Sequence, residues 1–118
     1  MARVADYSIV TDSWVIEVSQ HSINFDVPSN IDPGSRCVLN FMLQVYHLDD
    51  MTLVVRINGT EVWNWTYKGD SKTVMFFQEV VAAGVVKPGA NTFSFHTTTT
   101  DATAVQFSDV VVWWQANI

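Results

Sequence analysis

The dipeptide Asn58-Gly59 constrains this chain more than any other feature, because it separates two alternating runs of β-branched and aromatic residues. A two-residue type I′ turn needs positive φ at both central positions, and Asn-Gly adopts that conformation readily. The stretch 52–67 is therefore predicted to form a tight antiparallel β-hairpin. A turn of this kind also fixes the strand register, which places Arg56 opposite Glu61.

The two faces of this hairpin differ in character. Uninterrupted alternation places Val55 opposite Val62 on an aliphatic face. The other face carries Arg56 and Glu61 beside an aromatic row, which consists of Trp63, Trp65 and Tyr67. Because burial of a charge pair costs free energy, we expect the aliphatic face to pack in the core and the aromatic row to face solvent.

The composition allows one domain and excludes several classes of protein. The chain has 118 residues, which suits a single domain over residues 1–118. Hydrophobic residues make up 48% and charged residues 15%, so the chain is not a disordered tail. With a net charge of −6 and no basic stripe, no nucleic-acid partner is expected. No apolar run approaches the roughly 18 residues of a membrane helix, so membrane insertion is not expected either.

The cellular compartment is predicted from the cysteine content and the first residues. Cys37 is the single cysteine of the chain and cannot form an internal disulfide. The segment after Arg3 has no apolar run of signal-peptide length. We therefore expect a cytoplasmic protein, or one secreted without a cleaved signal peptide.

The rest of the chain is typical of short strands joined by turns. The clearest period-2 alternation runs from residue 37 to 47, where the odd positions through Val45 are apolar. Turn signals occur at Asp32-Pro33-Gly34 and at Pro88-Gly89-Ala90-Asn91. Residues 82–87 have room for about one helical turn at most. The pattern predicts an all-β fold, an antiparallel β-sandwich of eight or nine strands.

Three motifs occur in a familiar order: Val55-Arg56-Ile57-Asn58-Gly59, then Lys87-Pro88-Gly89-Ala90-Asn91-Thr92-Phe93, then Phe107-Ser108-Asp109. Between Leu39 and Trp114 the chain resembles the galactose-binding-like jelly roll of carbohydrate-binding modules and lectins. The resemblance implies a jelly-roll sandwich and a carbohydrate ligand.

The resemblance also implies a metal site. In several of these families an acidic residue near the first strand and an aspartate of the closing strand help to hold a structural calcium ion. The closing aspartate corresponds to Asp109, and Asp6 is the candidate for the other. The acidic first-strand motif of those families is absent from this sequence. No other cofactor is expected.

The aromatic row is the candidate ligand site. Its side chains are spaced about 7 Å apart along one face, and a pyranose ring can lie flat on an indole or a phenol. Arg56 and Glu61 can hydrogen-bond sugar hydroxyls beside the row, and Asp101 in the threonine-rich loop can reach a ligand. Two other interpretations stay open: the row is core, or it is an interface with another subunit.

The doublet Trp113-Trp114 adds a second candidate, because alternation points one indole to each face of its strand. One of the two indoles is expected in the core. The other is either a second platform for a sugar or a covered side chain.

No catalytic pattern is visible. The sequence shows no acid and base pair, activated nucleophile or phosphate-binding glycine loop at recognisable spacing, so an enzyme is not expected. The sequence predicts a non-catalytic, lectin-like domain that stacks sugar rings on exposed aromatic residues. The alternative is a structural or assembly domain whose aromatic face docks another subunit. Single sites of the first kind are weak, so a homo-oligomer is expected.

Overall fold

A computed structural model describes residues 3–15, 20–45, 50–68, 74–98 and 105–117. These residues form eight strands: β1 (Arg3–Thr11), β2 (Gln20–Val27), β3 (Cys37–Val45), β4 (Met51–Ile57), β5 (Thr60–Tyr67), β6 (Met75–Val81), β7 (Gly89–Thr97) and β8 (Val105–Asn117). The first sheet has the order β1-β8-β3-β6 and the second has the order β2-β7-β4-β5. All pairs are antiparallel. The predicted β-sandwich is confirmed.

The core lies between the two sheets and follows the predicted alternation in β3. The odd positions of β3 from Cys37 to Val45 are buried, and the even positions are half-buried. In β4 the predicted inner residues Leu53, Val55 and Ile57 are each 0% exposed. Burial also raises the pKa of the Cys37 thiol, which favours its protonated and unreactive form.

The two predicted turns hold each other in place. Asn58 and Gly59 have φ values of 52° and 81°, as a type I′ turn requires. The Asn58 amide donates hydrogen bonds to the Val85 carbonyl at 2.8 Å and to Asn91 Oδ1 at 2.7 Å. Asn91 is 2% exposed and donates in turn to the Lys87 carbonyl at 2.8 Å. The first two motifs of the resemblance therefore lie in direct contact and stabilise each other's turns.

The register of β4 and β5 departs from the prediction after the two pairs next to the turn. Arg56 lies opposite Glu61 as predicted, but Val55 lies opposite Trp63 rather than Val62. Val62 is thus the extra residue of a β-bulge. One extra residue shifts every later side chain to the other face of the sheet.

The bulge turns the aromatic row into the sandwich. Trp63 is 9% exposed, Tyr67 is 0% exposed and Trp65 is half-buried. The prediction that this row faces solvent is therefore wrong. Its physical reason is the inserted residue at Val62, which simple alternation along β5 ignores.

A second bulge interrupts β8 at Asp109, where the non-glycine φ is 50°. Before it the odd residue Phe107 points inward, and after it the even residues Val112 and Trp114 do. Trp114 is 4% exposed and Trp113 is 42% exposed, so one indole lies on each side as predicted. The bulge lies within one continuous strand, β8.

The segment 82–87 is an irregular turn in which Gly84 has a φ of 86°. A helical turn does not form there. Across the parts of the chain that the structure describes, no helix has the length and apolar character needed to cross a membrane.

Candidate functional site

The predicted aromatic row belongs to an inner aromatic cluster at the side of the sandwich where β5 faces β6. The cluster consists of Phe41, Trp63, Trp65, Tyr67 and Phe77. The Trp63 ring centroid lies 4.9 Å from that of Phe77 and 5.0 Å from that of Phe41. Trp63 and Tyr67 therefore pack against other rings and offer no open ring face to a sugar.

The polar residues predicted beside the aromatic row, Glu61 and Arg56, do not line the same pocket. Glu61 is exposed, accepts a hydrogen bond from Asn64 Nδ2 at 3.0 Å, and lines an edge pocket of about 290 Å³ together with Trp63. Arg56 lies opposite Glu61 in the register but does not line that pocket. Asp101 lies outside the described residues.

The two carboxylates suggested for calcium do not come together. Asp6 lies opposite Trp114, which is five residues beyond Asp109 along β8. At the rise of a β-strand this is a separation of roughly 16 Å, too far for one ion. Within the described ranges, no group of three or more metal-ligating side chains is present. The residues do not fit the implied ion, and neither carboxylate enters the proposals below.

An outer aromatic pair, Tyr7 and Trp113, lies on the solvent side of the first sheet. The two residues are directly opposite each other in β1 and β8, and their ring centroids are 5.0 Å apart with an interplanar angle of 47°. Tyr7 is 49% exposed and Trp113 is 42% exposed. Trp113 Nε1 donates a 2.6 Å hydrogen bond to Asn40 Oδ1, which fixes the orientation of the indole. The pair therefore offers an ordered aromatic surface to solvent.

Beside this pair runs a depression that we call the arginine groove. It has a volume of about 440 Å³ and continues toward Trp113 in a smaller depression of about 140 Å³. Arg36, Val38 and Gln115 line both parts, which makes them one continuous surface. Arg3 and Ser35 line the end of the groove that is farther from the indole.

A hydrogen-bonded network builds the far wall of the arginine groove. Arg3 Nε lies 3.0 Å from Asp32 Oδ2, and Arg3 Nη1 donates to Ser35 Oγ at 3.3 Å and to Gln115 Oε1 at 3.4 Å. The Ser35 hydroxyl donates to Asp32 at 2.8 Å. This bond, the Gly34 N–H and the charge of Arg3 lower the pKa of Asp32, although partial burial opposes them. Asp32 therefore stays ionised and neutralises Arg3.

Arg36 differs from Arg3 in its surroundings. It immediately precedes β3, is exposed, and lines the groove on the side of the indole. Among the described residues, its guanidinium makes no side-chain hydrogen bond or ion pair. Arg36 is therefore the cation of the groove that remains available to a ligand.

The sequence alone predicted only part of the outer aromatic pair. The Trp113-Trp114 doublet indicated that one indole leaves the core, but the choice of indole depends on the bulge at Asp109. Tyr7 and Arg36 carried no local signal, because the pairing of β1 and β3 with β8 brings them to one surface.

Comparisons with known proteins identify the fold. No protein-family model matches the chain, and no curated protein matches its sequence. Among solved structures, dimeric latent PorU from Porphyromonas gingivalis matches 98% of this chain and 13% of its own, with a TM-score of 0.68 and 8% identity. This chain spans 13% to 26% of three of the larger proteins that it matches.

Two carbohydrate-binding modules match over most of their own length. The CBM36-1 domain of a multidomain xylanase from the hindgut metagenome of Trinervitermes trinervoides has a TM-score of 0.54 and 8% identity, covering 98% of this chain and 100% of its own. A family 35 carbohydrate binding module from an environmental isolate has a TM-score of 0.53 and 11% identity, covering 81% and 66%. The chain therefore shares the galactose-binding-like jelly-roll fold with carbohydrate-binding modules, as the order of its turn motifs predicted.

Proposed function

We propose that this chain is a non-catalytic carbohydrate-binding domain that stacks a sugar ring on the outer aromatic pair. The observation that carries the proposal is the exposure of Tyr7 and Trp113 side by side on the first sheet, with centroids 5.0 Å apart. The jelly-roll fold, which is shared with known carbohydrate-binding modules, supports the same function.

The pair has the chemistry that sugar stacking needs. A pyranose presents a face of C–H bonds that packs against an aromatic ring, and its hydroxyls need hydrogen-bond partners at the rim. The indole is held by Asn40, so little conformational entropy is lost when a ligand stacks on it. The arginine groove supplies polar groups next to the indole, including the side chain of Gln115.

The proposed site is open and shallow, which suits binding rather than catalysis. The pair lies on a sheet face, where water is not excluded from a bound sugar. One stacking site of this size binds weakly, so we propose that the domain acts in several copies, either as a homo-oligomer or by tethering.

The test measures binding of the protein to a panel of glycans. Intrinsic tryptophan fluorescence detects binding, and calorimetry gives the affinities. We expect a binding sugar to change the emission of the wild-type protein. Trp113→Ala should remove that change and weaken binding at least about tenfold, because the stacking surface is lost. Trp14→Ala is the matched control, since Trp14 is 41% exposed and lies outside the site. A Trp113→Ala protein that binds as well as wild type would refute the proposed site.

A second function is favoured by the apolar residues around the pair. On the same face of the first sheet, Ile9 is 53% exposed, Val80 is 54% exposed and Phe76 is 61% exposed. Such side chains give little to a sugar and are typical of a protein interface. The second candidate is therefore an assembly domain that docks another subunit on this face. A solution mass that falls from oligomer to monomer in Phe76→Ser, with no glycan bound by wild type, would support it.

A further inference from the structure

We infer that the preferred ligand is a saccharide with a negatively charged substituent, and that Arg36 binds this substituent while the ring stacks on Trp113. The inference rests on the proposed function and specifies its ligand. The shared chemistry is an anionic group with two or more acceptor oxygens, which a uronate carboxylate and a sulfate ester both provide.

The strand pairing places Arg36, the cation, next to Trp113, the stacking surface. Val38 lies opposite Trp113 in the pairing of β3 and β8, and Arg36 precedes Val38 by two residues. Residues two apart along an extended chain point to the same side at a spacing of about 7 Å. This spacing lets a substituent on the edge of a stacked pyranose reach the guanidinium. The lining of the smaller depression by both Arg36 and Trp113 supports the same juxtaposition.

The charges of the groove favour an anion over a neutral sugar. Arg3 is neutralised by Asp32 at 3.0 Å, whereas Arg36 has no such partner among the described residues. None of the described residues that line the two depressions is acidic. The chain as a whole has a net charge of −6, whereas the charged residues that line this groove, Arg3 and Arg36, are both cations. An unpaired guanidinium beside a ring platform therefore has unused binding capacity for an anion.

The neighbouring side chains complete the binding arrangement. The Arg36 guanidinium is planar and can donate two parallel hydrogen bonds to a carboxylate or a sulfate. Gln115 lines both parts of the groove, and its Oε1 already accepts a hydrogen bond from Arg3 Nη1. Its amide nitrogen is thus directed away from that network and is available to a sugar hydroxyl.

The experiment compares three oligosaccharides of equal length: a neutral galactose oligomer, a galacturonate oligomer and a sulfated galactose oligomer. We expect at least one anionic oligomer to bind wild type about tenfold or more tightly than the neutral one, because hydrogen bonds to charged groups are strong. Arg36→Gln should remove that difference while the neutral oligomer still binds. Arg56→Gln is the matched control, because it makes the same charge change on the second sheet.

Salt gives an independent readout. Raising the ionic strength should weaken binding of the anionic oligomer to wild type and leave the neutral oligomer and the Arg36→Gln protein nearly unchanged. Preference for galacturonate or for the sulfated oligomer would support the inference and identify the anionic group. Equal affinity for all three, unaffected by Arg36→Gln, would overturn it and leave sugar binding intact. Absence of binding to any glycan would overturn the proposed function as well.

Discussion

The inner aromatic cluster and the outer aromatic pair are built from similar residues with opposite exposure. Trp63 is 9% exposed and contacts three other rings, whereas Trp113 is 42% exposed and contacts one. In both strands a one-residue bulge lies shortly before the tryptophan, at Val62 in β5 and at Asp109 in β8. Which indole faces solvent is therefore decided by an inserted residue.

The comparison shows that ring chemistry does not determine the role of an aromatic side chain here. Each bulge reverses the inward and outward parity of every later residue in its strand. In β5 the reversal buries the aromatic row, and in β8 it buries Trp114 and exposes Trp113. Removal of the bulge in β5 would turn the aromatic row outward, and removal of the bulge in β8 would bury Trp113 and expose Trp114.

Deletion of Val62 should have the largest effect. Without the extra residue, β5 would turn Trp63 and Tyr67 outward and leave their space in the core empty. The loss should exceed the roughly 3–5 kcal/mol of a single large-to-small aromatic substitution, so we expect the folded state to be lost. Circular dichroism and urea unfolding measure the loss of the folded state.

Val62→Ala is the matched control for the deletion. It keeps the length of β5 and removes two methyl groups at a half-buried position, so it should cost about 1 kcal/mol. If the deletion variant unfolds at the same urea concentration as Val62→Ala, the bulge does not determine the orientation of the aromatic row.

The next largest effect is expected from alanine substitutions, which should destabilise the inner aromatic cluster more than the outer aromatic pair. Trp63→Ala removes a ring packed against Phe41 and Phe77 and should lower the free energy of unfolding by about 3–5 kcal/mol. Trp113→Ala removes an exposed ring with one ring contact and one hydrogen bond, and should cost about 1 kcal/mol. Urea titrations of both variants measure the difference. Equal losses would mean that Trp113 is as structural as Trp63.

Much of the fold was predictable from local sequence. The Asn58-Gly59 turn, the pairing of Arg56 with Glu61 and the alternation from Cys37 to Val45 follow from short-range rules, and the structure confirms them. These rules work because turn conformation and strand periodicity depend on neighbouring residues. The jelly-roll architecture followed from the order of the turn motifs.

The side of the sheet on which the aromatic row lies was not predictable in the same way. Nothing in Glu61-Val62-Trp63 marks an extra residue, because a bulge of this kind accepts ordinary β-formers and is chosen by the packing of the whole sheet. The outer aromatic pair was not predictable from a local pattern either. Tyr7 and Trp113 become neighbours only when the first and last strands pair. Such long-range contacts have no signal in a local pattern.

Smaller effects than those of the Val62 deletion and Trp63→Ala should come from the bulge at Asp109, which sets the exposure of Trp113. Asp109 has a φ of 50°, a left-handed conformation that glycine adopts freely and β-branched residues adopt at a cost of about 1–2 kcal/mol. Asp109→Gly should therefore leave stability unchanged or raise it by up to about 1 kcal/mol, although it loses the 3.2 Å hydrogen bond from Ser108. Asp109→Val should lower stability by about 1–2 kcal/mol. Acrylamide quenching of Trp113 should be unchanged in the glycine variant, because the parity of β8 is kept. Equal stability of the two variants would show that the left-handed conformation at Asp109 does not constrain β8, and the choice between Trp113 and Trp114 would then need another cause.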